Sequence, residues 1–122
     1  MCLVDFAGSG MSEGPYISLG PSEAEDLRYL YKEISYRFGV ERMVLWGRSM
    51  GACTALIYAS QYPQTVSCLI LDSPFKDLRK LIREIAAERT KLPQILFEPI
   101  LSLVDTELES KIKHRFSEYK MK

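Results

Sequence analysis

Three short apolar runs, residues 2–6 (Cys-Leu-Val-Asp-Phe), 42–46 (Arg-Met-Val-Leu-Trp) and 66–71 (Val-Ser-Cys-Leu-Ile-Leu), are separated by two stretches in which apolar residues recur at helical spacing. Runs this short, and apolar almost without a break, fit strands covered on both faces. Their alternation with helical stretches gives the order β-α-β-α-β, which argues for a parallel sheet with helices on both sides and right-handed crossovers. The class is therefore α/β.

The punctuation supports this order. Ala7-Gly8-Ser9-Gly10 closes the first run and opens a loop that lasts to Pro21. Ser22 is placed to cap the following helix, with Glu25 three residues later completing a capping box. Leu27, Leu30, Tyr31, Ile34 and Phe38 then share one face, and Gly39 is the stop. A second helix runs from Ser49 to Tyr62, rich in small residues (Gly51, Ala52, Ala55, Ala59), and ends before Pro63. Asp72-Ser73-Pro74 stops the third run. Beyond it no strand pattern occurs. Phe75, Leu78, Leu81, Ile82, Ile85 and Ala86 mark an amphipathic helix, Pro93 interrupts, and Pro99 ends or kinks the apolar stretch 94–104. Thr106 with Glu109 reads as another capping box, before a thin stripe of Leu108, Ile112, Phe116 and Tyr119. The chain divides into a core over residues 1–90 and a helical tail or lid remnant over 91–122.

Sixteen basic and sixteen acidic residues leave a formal net charge of zero. Without a basic cluster there is no electrostatic pull toward nucleic acid or an anionic membrane. No apolar run is long enough to cross a bilayer, and Met1-Cys2-Leu3-Val4-Asp5 lacks the positive segment of a signal peptide. Cys2, Cys53 and Cys68 are odd in number, far apart and set among apolar residues, which fits reduced, buried thiols in the cytoplasm. One histidine and no Cys/His cluster argue against a metal site.

The second apolar run ends in Gly47-Arg48-Ser49-Met50-Gly51, a G-x-S-x-G pattern. Chance alone produces three such fixed positions in roughly 4% of chains this long, so the context decides. Here the pattern closes a strand-like run and opens a small-residue helix. A strand turning that sharply into a helix forces the serine into a strained backbone conformation. Side chains two residues before and after it would collide where helix and strand approach, so glycine is wanted at both Gly47 and Gly51. The Ser49 hydroxyl is left exposed at the carboxyl end of the sheet. The amide of Met50, first in the helix, can donate to an oxyanion with the helix dipole behind it.

With these residues in view, the chain resembles the α/β-hydrolases, in particular the serine aminopeptidase-like (S33-type) and acyl-hydrolase group. The resemblance is carried by residues 5–14 (Asp-Phe-Ala-Gly-Ser-Gly-Met-Ser-Glu-Gly), 45–51 (Leu-Trp-Gly-Arg-Ser-Met-Gly) and 71–75 (Leu-Asp-Ser-Pro-Phe). It covers about residues 2–85 and aligns the three runs with the fourth, fifth and sixth strands of that fold. It implies that Ser49 attacks an ester, thioester or amide carbonyl without a cofactor, and that Met50 supplies an oxyanion amide. The substrate would be a small-molecule or peptide acyl compound.

Such a nucleophile also needs a base and an acid to orient it. The family supplies them after its seventh and eighth strands, which are not found in this chain. Asp72 ends the third run, where some lipases place the acid, although an acid in such a turn more often caps the next helix. His114, between Lys113 and Arg115 and off the apolar stripe, reads as a solvated surface residue. The expectation is therefore the central part of an α/β-hydrolase, with negligible hydrolysis by this chain alone. Three short parallel strands would also leave apolar edges open to self-association.

Two other functions compete. A non-catalytic interaction module derived from a hydrolase would not depend on Ser49. Nucleotide binding by Gly8-Ser9-Gly10 with Gly14 fails on context, because the next helix starts too late to receive a phosphate and no lysine follows the glycines.

Overall fold

A computed structural model describes residues 1–14 and 16–89, together with Pro99, Ser102 and Thr106. It divides into two compact units, Met1–Pro74 and Phe75–Lys122.

In the first unit, α1 (Pro21–Phe38) is followed by β1 (Met43–Arg48), α2 (Met50–Gln61), a single 3-10 turn (Pro63–Thr65) and β2 (Val66–Asp72). The two strands pair in parallel, Leu45 with Leu69 and Arg48 with Asp72. The register shifts between Met43 and Val44, whose partners are Val66 and Cys68. Beside this irregularity the Arg42 guanidinium donates to the Val66 carbonyl at 2.6 Å.

Two of the three expected strands form. Residues 2–6 adopt no strand structure, and Leu3 lies almost fully in solvent. Only Phe6 of that run reaches the core. A strand is made by the ladder it joins, and an apolar run with no pairing partner gains nothing from extended regularity.

Helix α1 begins earlier than Ser22. Gly20 is its N-cap and Pro21 its first residue, a position where the missing N–H costs nothing. Gly20 has no side chain to accept from the free amides, and Ser18 substitutes for it: the Ser22 N–H donates to Ser18 Oγ at 2.7 Å. Glu23, rather than Glu25, reaches back. Its buried carboxylate accepts from the Gly20 N–H (2.7 Å), the Ser18 N–H (2.7 Å) and the Ser18 hydroxyl (2.6 Å). Gly39 closes the helix at φ 65°, with its N–H on the Ser35 carbonyl. Phe38, expected on the apolar face, is exposed.

The core is built from Ala24 and Leu27 of α1, Tyr58 of α2 and Val66 of β2, flanked by half-buried Met43, Leu45 and Leu69. Each fully buried aliphatic side chain of this kind contributes about 1.5–3 kcal/mol. Helix α2 packs on both strands and on α1. Its small residues Ala52, Cys53, Thr54 and Ala55 are all buried, which is what close approach to a sheet demands. The Thr54 hydroxyl is buried with no hydrogen-bond partner among the described residues. Thr65 Oγ1 lies 2.9 Å from the fully buried Tyr58 phenol and 2.8 Å from the Tyr62 carbonyl, joining the end of α2 to the start of β2.

β1 alternates strictly between half-buried and exposed positions. Met43, Leu45 and Gly47 face α2, whereas Val44, Trp46 and, on β2, Ile70 are exposed, Trp46 at 75%. Within this unit the expected cover on both sheet faces is therefore present on one. Cys2, Cys53 and Cys68 form no disulfide, and of the three thiols only Cys53 is buried, against the expectation for all of them.

In the second unit, α3 (Leu78–Arg89) starts after Asp77, which accepts the Lys80 N–H at 3.3 Å. Pro99, Ser102 and Thr106 are helical, and the Thr106 hydroxyl donates to the Ser102 carbonyl at 2.9 Å instead of opening a helix as a cap. Pro93, Glu109, the stripe Leu108, Ile112, Phe116 and Tyr119, and His114 lie outside the described residues. No described helix is long and apolar enough to cross a membrane.

Candidate active site

Gly47 is the point on which the site's geometry turns. A Cβ added there would lie 2.6 Å from the Ala52 nitrogen and closer still to the Gly51 carbonyl carbon and oxygen. Real side-chain carbons do not approach backbone that closely, so the strand can pass under the helix start only if residue 47 has no side chain. The expectation for Gly51 is not met: a Cβ there would meet nothing within 4 Å. Its place in the pattern is as the backbone that Gly47 makes room for.

Between them, Ser49 adopts φ 50° and ψ −112° and serves as N-cap of α2. A non-glycine residue in this region carries about 1–3 kcal/mol of backbone strain, which persists only where neighbouring bonds over-determine it. Two such bonds are visible. The Ser49 N–H donates to the Asp72 carbonyl at 2.8 Å, and the Ser49 carbonyl accepts the Cys53 N–H at 3.1 Å as the first bond of α2. The strand-to-helix bend thus forms at the residue where the sequence pattern places it, and Ser49 is exposed.

Met50 is the first residue of α2, so its amide has no acceptor within the helix and points along the positive end of the helix dipole.

Asp72 is the last residue of β2, across the ladder from Arg48. Among the described residues its exposed carboxylate has two neighbours. Arg48 Nε stands 3.3 Å from Oδ2, and the Ser73 hydroxyl donates to Oδ1 at 2.7 Å. Ser73 also has a positive φ, 53°, directly before Pro74. Arg48 and Ser73 are thus part of the site's surroundings, although neither stands out in the sequence beyond being neighbours of Ser49 and Asp72. A strand register is what brings them together.

The glycines of the first loop have a separate role. Gly8 takes φ 76°, and its N–H donates to the Glu13 carbonyl at 3.2 Å, so the loop folds on itself. It precedes α1 by a further stretch of chain and does not feed a helix N-terminus.

A family model described as alpha/beta hydrolase fold matches residues 1–118. No curated protein and no solved structure matches the chain.

Proposed function

Because this chain belongs to the alpha/beta hydrolase fold family, we propose that Ser49 is the nucleophile of an acyl-transfer reaction on an ester, thioester or amide carbonyl. The observation that supports this is the strained, exposed Ser49 at the bend between β1 and α2. Ser49 Oγ would bond to the carbonyl carbon as its proton passes to a base. The carbonyl π pair moves onto oxygen, where the Met50 N–H stabilises it. Collapse of that intermediate expels the alcohol, thiol or amine, leaving an acyl group on Ser49 for water to remove.

An orienting acid must offer a carboxylate oxygen to the base. Asp72 Oδ2 and Oδ1 face Arg48 and the Ser73 hydroxyl, and no histidine stands beside them among the described residues, so the reading rests on Ser49 and Met50. The only histidine, His114, lies outside the described residues. Among the described residues no histidine stands near Ser49, and this chain alone is expected to hydrolyse esters negligibly. The narrower S33-type likeness rests on residues 5–14, 45–51 and 71–75. The cytoplasmic reading rests on three cysteines that are odd in number and far apart in the sequence.

The test is fluorophosphonate labelling of the full chain, read by peptide mass spectrometry with and without added imidazole as a substitute base. Labelling is expected to be slow, confined to Ser49, accelerated by imidazole and abolished in Ser49→Ala. Labelling elsewhere, or none at Ser49 even with imidazole, would overturn the nucleophile. A rate typical of serine hydrolases with a full triad would overturn the expectation of negligible hydrolysis.

The exposed side chains of Val44, Trp46 and Ile70 favour a second reading, a hydrolase-derived interaction module that associates through this face or the strand edges. Under it, Ser49→Ala leaves partner binding and self-association unchanged, which sedimentation of the two proteins would show.

A further inference from the structure

Resting on the reading of Ser49 as nucleophile, we propose that Asp72 is a positioning residue for it, held in place by Arg48 and Ser73. The starting point is the strain at Ser49. A backbone at φ 50° and ψ −112° relaxes unless something holds it. Toward the sheet, what holds it is the bond from the Ser49 N–H to the Asp72 carbonyl. That bond is only as firm as the end of β2, and strand ends fray.

Asp72 is the terminal residue of its strand and is exposed, so packing does not fix it. Its carboxylate does. Oδ2 faces Arg48 Nε at 3.3 Å, across the same rung of the parallel ladder. Oδ1 accepts the Ser73 hydroxyl at 2.7 Å. The rung that ends the sheet is thus tied through side chains as well as backbone, and the nucleophile's amide hangs from it. Ser73 contributes again through its own conformation. A residue before proline at φ 53° is unfavourable, and here it turns the chain out of β2 immediately after Asp72.

The arrangement differs from a triad acid in what the carboxylate touches. A triad acid takes the N–H of the base, whereas this one takes a guanidinium from the residue before the nucleophile and a hydroxyl from the residue after itself. As an exposed ion pair the Arg48–Asp72 contact contributes little to global stability. Its effect is local, on the last rung.

Amide hydrogen exchange of the full chain, resolved by residue, tests this. In Arg48→Met and in Ser73→Ala the Ser49 amide is expected to exchange about three- to fivefold faster, with the Leu45 and Leu69 amides of the same ladder within about twofold of wild type. Arg48→Lys, which keeps the charge beside Asp72, is expected to restore most of the protection. An unchanged Ser49 amide in both variants overturns the proposal. So does a uniform rise along the ladder, or a failure of lysine to rescue. Exchange does not depend on chemistry at the hydroxyl. The clamp can therefore stand while fluorophosphonate labelling fails, and labelling can succeed while the clamp fails.

Discussion

The two glycines that flank Ser49 should respond to the same substitution in opposite directions. Gly47→Ala places a methyl group 2.6 Å from the Ala52 nitrogen and nearer still to the Gly51 carbonyl. These neighbours are backbone at the first turn of α2 and cannot rotate away, so strand and helix must separate. Overpacking a tight site costs about 1–3 kcal/mol, and the upper end applies where backbone meets backbone. For a folding unit of this size each kcal/mol moves the thermal midpoint by roughly 4–8 °C, so a fall of about 12–24 °C is expected. Gly51→Ala meets open space within α2. Replacing a helical glycine by alanine removes unfolded-state freedom and gains roughly 0.5–1 kcal/mol. Thermal and urea unfolding followed by circular dichroism would measure both variants against wild type. If Gly47→Ala unfolds within about 0.5 kcal/mol of wild type, or Gly51→Ala is as damaging as Gly47→Ala, the close-approach argument is wrong.

Thr54→Val replaces a buried hydroxyl that lacks a partner among the described residues by a methyl of similar shape. It should raise stability by about 1 kcal/mol, read from the urea midpoint. Ser49→Gly should be more stable than Ser49→Ala by about 1 kcal/mol, because only glycine relieves the positive φ; equal stabilities would mean that Ser49 carries no strain. Burial pushes the Tyr58 phenol above its ordinary value, and the Thr65 hydroxyl opposes this in part. The folded state then holds that proton more tightly than the unfolded chain. Stability should be complete below the ordinary tyrosine value of about 10 and fall as pH rises through the folded value. Urea midpoints across that range should show the decline, and Tyr58→Phe should lose this component.

Much of this protein could be read from local chemistry. The bend at Ser49, the stop at Gly39, the end of α2 before Pro63 and two of the three strands follow from residues close together in the chain, where backbone preference and periodicity act directly. The failures have one cause. Residues 2–6 look like a strand, but a strand needs a neighbour, and no local property of Cys-Leu-Val-Asp-Phe supplies one. Ser22 and Glu25 fit a capping box as well as Gly20 and Glu23 do, until the fold of the preceding loop brings Ser18 within reach of Glu23 and of the Ser22 amide. Gly47 and Gly51 look equivalent in G-x-S-x-G, and only the crossing of β1 beneath α2 makes one of them indispensable. Arg48, Asp72 and Ser73 meet because two strands far apart in sequence lie parallel in one register. Short-range preference determines where the chain bends. Which side chains then face one another depends on pairing between distant segments, and that is decided by the free energy of the whole packed unit.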